Sequence, residues 1–111
     1  MKNFLAIYTG SPAALAQRPP DKATEARGME AWGQWMAAHE KSIVDIGAPL
    51  GKTKRISADG IADIKNAMAA YVIVRAETHE EAAKMFENHP HFMIFPGDGV
   101  EIMECLPMPG L

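Results

Sequence analysis

The chain has 111 residues, 48% apolar and 23% charged, the make-up of one globular domain, which excludes a disordered chain. The formal net charge is −3 and no stretch concentrates Lys or Arg, which excludes nucleic acid and anionic membrane as partners. One cysteine, Cys105, excludes an internal disulfide and fits a reducing, cytoplasmic setting.

Residues 3–9 read as a strand with both faces apolar: Phe4, Ala6 and Tyr8 on one, Leu5, Ile7 and Thr9 on the other. Lys2, the run Phe4–Tyr8 and the triplet Ala14-Leu15-Ala16 imitate a secretory leader. The apolar run is short and Thr9-Gly10-Ser11-Pro12 breaks it, so no cleavage is expected. No stretch approaches the roughly 18 apolar residues of a membrane span. Residues 10–23, with Pro12, Pro19 and Pro20, read as a loop. From about Thr24 to Ile46 the period is helical. Met29, Trp32, Met36, His39, Ile43 and Ile46 form a stripe with Trp35 beside it, and Gly28 and Gly33 permit close packing. Gly47 and Pro49 stop the helix.

Residues 50–58, with Lys52, Lys54 and Arg55, read as an exposed edge strand, and Asp59-Gly60 opens a turn into a loop that lasts to Asn66. The apolar run 68–76 reads as a central strand. Thr78 with Glu81 is a capping box that starts a second helix, buried through Ala82, Met85 and Phe86 and ended by Asn88-His89-Pro90. Residues 91–95 read as a short strand or turn, and Val100–Leu106 as the last strand. The eight methionines are read as core filler.

The order strand, helix, strand, strand, helix, strand predicts a single α+β domain over 1–111, a ferredoxin-like βαββαβ with an antiparallel sheet. Both helices cover one sheet face. The other face, apolar in two strands, needs a partner, and the simplest is a second copy, a homodimer.

The stretches Gly47-Ala48-Pro49-Leu50-Gly51, Asp59-Gly60-Ile61-Ala62-Asp63, Tyr71-Val72-Ile73-Val74, Glu80-Glu81-Ala82-Ala83, His89-Pro90-His91 and Gly99-Val100-Glu101-Ile102, in that order, resemble the YCII-like family. Trp32 and Trp35 suit its DGPF branch, where this chain has Asp59-Gly60-Ile61-Ala62 in place of Asp-Gly-Pro-Phe. The resemblance implies a dimeric α+β barrel of two face-to-face ferredoxin-like sheets. It also implies a cleft in which a His and Asp pair has suggested enzymatic activity for some members.

Among the residues themselves, His39 sits on the apolar side of the long helix. It is either a general base or a histidine at a helix margin. Asp59 either orients a histidine or serves its own Asp-Gly turn. These two are the catalytic candidates. Trp32, Trp35, Tyr8, Tyr71 and Glu101 are the candidate ligand contacts, the tryptophans by stacking or simply as core. His89 and His91 flank Pro90 without an evident third ligand, so no metal is expected, nor any cofactor. His79 reads as a solvated residue. The resulting expectation is a small-molecule binder or enzyme with a cleft between helix and sheet. The alternative is a dimeric interaction module without chemistry.

Overall fold

A computed structural model describes residues 1–11 and 21–110. The elements run β1 (Lys2–Thr9), α1 (Lys22–Ala38), a 3-10 turn at Glu40–Ser42, β2 (Ile43–Pro49), β3 (Thr53–Ser57), β4 (Gly60–Ile64), β5 (Met68–Ala76), α2 (His79–Lys84), α3 (Pro90–Met93) and β6 (Gly99–Glu104). A four-stranded antiparallel sheet has the order β2-β5-β1-β6. With α1 after β1 and α2 before β6, this is the expected ferredoxin-like topology. The triplet at 14–16 and most of the expected loop at 10–23 lie outside the described residues.

Alternation on the central strands decides which face packs. Phe4, Ala6 and Tyr8 of β1 and Val72, Val74 and Ala76 of β5 are buried against Trp35, Ala82 and Phe86. Leu5, Ile7, Tyr71 and Ile73 lie on the opposite face and stay half-buried, with no helix across them among the described residues. Helix α1 starts where the Asp21 carboxylate accepts the Thr24 backbone N–H at 2.7 Å. Its core stripe runs through Gly28, Trp32 and Trp35, and Gly28 admits the Phe95 ring, which a Cβ there would strike. Gly33 has open space around it. Helix α2 has the expected cap: the Thr78 hydroxyl accepts from Glu81 N at 3.1 Å.

Several boundaries differ from the sequence reading. The long helix stops at Ala38, and Ile43 and Ile46 belong to β2, not to the helical stripe. The β-branched cluster Ile43-Val44-Ile46 favours a strand. Its alternation is hidden because the pairing of β2 with β5 shifts register between Ile43 and Asp45 and again between Asp45 and Ala48. Residues 53–57 are a strand, but outside the main sheet. They pair with 60–64 as a separate hairpin whose turn is Ala58-Asp59, with Lys54 and Asp63 bridged at 2.6 Å. Residues 90–93 are helical, not extended, because Pro90 suits the first helical position and His89 caps it. The methionines do not fill the core: Met29, Met68, Met93, Met103 and Met108 are exposed, and only Met36 and Met85 pack against it. His79 is not merely solvated, since its Nε2 donates to the Ile102 carbonyl at 2.8 Å and ties α2 to β6.

Gly47 is the residue on which β2 depends. It holds φ +69°, its N–H is accepted by the Asp45 carboxylate at 2.8 Å, and a Cβ there would collide with the Tyr71 carbonyl oxygen. Gly47→Ala is expected to destabilise the fold by about 2 kcal/mol or more. Urea unfolding would show this, and an unchanged midpoint would mean that the bulge is not needed.

Candidate functional site

Between α1 and the β2–β5 side of the sheet lies a cleft of about 550 Å³. Met29, Trp32 and Met36 of α1 form one wall. Residues 46–49 of β2 and 69–72 of β5 form another, and Tyr8, His91 and residues 95–97 close the end. This size suits a small organic molecule. No Asp, Glu, Lys or Arg is among the described lining residues, so the cleft is apolar with a few polar points. A larger depression of about 1120 Å³ lies beside the β3–β4 hairpin, lined by Lys52, Lys54, Asp63 and Lys65 among others. It gathers no aromatic or histidine side chain, so the chemistry converges on the smaller one.

That convergence is a cluster of rings. The Tyr8 ring lies 4.9 Å from Trp32, 5.0 Å from His89 and 5.2 Å from His91. Trp32 meets His89 edge-on at 4.6 Å, and Trp35 meets it edge-on at 4.8 Å. His89 is fully buried, and both of its nitrogens are engaged. Nδ1 accepts the backbone N–H of His91 at 3.0 Å, which caps α3, and Nε2 lies 3.3 Å from the Tyr8 hydroxyl. Burial, reinforced by charge on His91 and on His39, pushes the His89 pKa down from 6.5 to about 4. The ring is therefore neutral at pH 7. Burial also raises the Tyr8 pKa, so the phenol keeps its proton. His91 Nε2 donates to the Thr9 carbonyl at 2.7 Å, which ties α3 to the end of β1.

Tyr8, Trp32 and Tyr71 of the expected ligand contacts line the cleft. By strand alternation the Tyr71 phenol points to the other sheet face, alongside Ile7. Trp35 is buried behind the cleft, and its indole N–H donates to the Met85 carbonyl at 2.7 Å. Glu101 is exposed on the edge strand β6, opposite Ile7 and on that same far face. Contrary to expectation, His39 does not line the cleft. Helix α1 ends one residue earlier, and the His39 ring folds back so that Nδ1 donates to the Trp35 carbonyl at 2.9 Å. Asp59 is exposed in the hairpin turn, its N–H accepted by the Ser57 hydroxyl at 3.2 Å. The sequence reading missed His89 and His91 as members of the cleft cluster. Its available signal was Pro90 at a helix start, which makes the residue before it a cap and turns the next one inward.

The depressed His89 pKa makes a signed prediction. The unfolded chain takes up a proton near pH 6.5, but the folded chain resists it until about pH 4. Stability is therefore complete above about pH 6.5 and falls towards pH 4 by up to ~1.4 kcal/mol per unit, about 3 kcal/mol in all. Urea unfolding of the wild type and of His89→Gln between about pH 5 and pH 7 would check this. The variant should lose most of the slope, and equal slopes would contradict the assignment.

No family model matches the chain. No curated protein matches it. Among solved structures it is similar to 5-chloro-2-hydroxyhydroquinone dehydrochlorinase (TftG) from Burkholderia phenoliruptrix AC1100, in complex with 2,5-dihydroxybenzoquinone. The TM-score is 0.58 at 17% identity, covering 94% of this chain and 93% of that one. At that identity the likeness shows the fold alone, a mixed α+β chain with an antiparallel sheet.

Proposed function

We propose that the chain binds a small, flat, oxygen-bearing ring compound in the cleft between α1 and the sheet, as a binding protein or an enzyme. The observation that carries this reading is the meeting of Tyr8 and His91, the polar side chains at the closed end of the cleft, under the Trp32 face. Apolar walls with one or two polar points suit a neutral ring with few oxygens better than a charged metabolite. The structural neighbour's ligand, 2,5-dihydroxybenzoquinone, is likewise a small, flat, oxygen-bearing ring. In this reading Tyr8, Trp32 and His91 touch the ligand, while His39 and Asp59 act outside the cleft.

Calorimetric titration with 2,5-dihydroxybenzoquinone, with catechol and anisole as further flat rings, tests this. At least one should bind saturably, and Trp32→Ala should weaken it about tenfold through lost ring contact. Absence of binding by all three, or indifference to Trp32→Ala, would overturn the reading.

A second reading concerns the far sheet face. Among the described residues no helix covers Leu5, Ile7, Tyr71 and Ile73 there, beside Met103, which is 43% exposed. Such a patch suits a second copy of the chain, in line with the dimer implied by the family resemblance. Light scattering at micromolar concentration should give twice the chain mass, and Ile73→Asp should lower it or cause aggregation. A clean monomer for the wild type would refute the dimer and leave the cleft reading standing.

A further inference from the structure

We propose that the Tyr8 hydroxyl is a dedicated hydrogen-bond donor to the ligand, held in that role by His89 as a positioning residue, so that the ligand must carry an acceptor oxygen such as a ketone or quinone carbonyl. This rests on the cleft being a ligand site and narrows the class of ligand that it accepts.

A backbone N–H can only donate, so the 3.0 Å contact from His91 N leaves His89 Nδ1 without a proton. The ring is fully buried and neutral, so its one proton sits on Nε2. Across 3.3 Å, Nε2–H therefore donates and the Tyr8 oxygen accepts. The phenol is protonated as well, and its own proton cannot point at a nitrogen that already bears one. No other acceptor lies within hydrogen-bond distance of the Tyr8 oxygen among the described residues. The neighbouring Trp32 and Phe86 rings offer only π faces and edges. Tyr8 is only 2% exposed but is among the residues that line the cleft, so among the described surroundings the destination left for the unused proton is an oxygen brought in by the ligand. The α3 cap sets this direction. If Nδ1 carried the proton instead, Tyr8 would donate to Nε2 and the cleft would meet an acceptor.

Acetophenone and α-methylstyrene test the idea, since they share a shape and differ in one carbonyl oxygen. Dissociation constants from NMR titration of the wild type and of Tyr8→Phe form a cycle in which the desolvation of each compound cancels. Tyr8→Phe should weaken acetophenone about tenfold and leave α-methylstyrene within about twofold. His89→Leu should weaken acetophenone selectively too, and His89→Gln, which keeps an N–H donor, should restore part of it. Equal effects of Tyr8→Phe on both compounds, or none on either, overturn the donor role while the cleft still binds rings. Full retention of the acetophenone affinity in His89→Leu overturns the positioning role. If His89→Leu does not fold, the Tyr8→Phe cycle still decides the donor role. If the wild type binds neither compound nor any ring of the earlier titration, the cleft reading fails and this one fails with it.

Discussion

A neutral imidazole buried against two tryptophans is an expensive thing to place in an apolar core, and three parts of this chain depend on the hydrogen bonds that make it tolerable. His89 starts α3 through Nδ1 and meets Tyr8 through Nε2, while Trp32 and Trp35 enclose its ring. The cap on α3 turns His91 towards the Thr9 carbonyl, and that contact pins the helix to the end of β1. The closed end of the cleft is thus assembled from one strand, one long helix and one short turn of helix. Protonating His89 would cost both the burial of a charge and the acceptor that caps α3.

The larger frame was legible because its signals are local and strong. The apolar run at 68–76 and the strand at 2–9 lie at the sheet centre, where propensity and burial agree. Thr78 with Glu81 marks a real cap. The stretch 39–49 misled for a definite reason: bulges in β2 disturb the alternation, and the residues Ile43 and Ile46 then fall by chance on a helical spacing from Trp32 and His39. Gly47 was legible as a left-handed position, but it serves a bulge in place of a helix stop. A glycine announces its φ, not the element that uses it.

The site was legible in part. Tyr8 and Trp32 stand out as amphipathic aromatic residues on elements that must pack together, and they meet at the cleft. His39 drew attention through the same helical stripe that wrongly extended α1, and it caps that helix instead. His89 and His91 were visible as a pair, yet pairing suggested a metal more readily than a cap and a tether. Contacts such as Tyr8 to His89 join positions 81 residues apart, and nothing in local spacing encodes them. The neighbour with 17% identity shares the chain's course, and a shared course does not by itself carry a cleft's chemistry from one chain to the other.

Everything at the closed end of the cleft turns on His89 being a neutral ring with its proton on Nε2. Long-range ¹H–¹⁵N NMR correlation of the histidine side chains at neutral pH tests it most directly. The account predicts a protonated-type shift for His89 Nε2 and an unprotonated-type shift for Nδ1, both unchanged down to about pH 5. A proton on Nδ1, or a ring that charges near pH 6.5 like a free histidine, would contradict it.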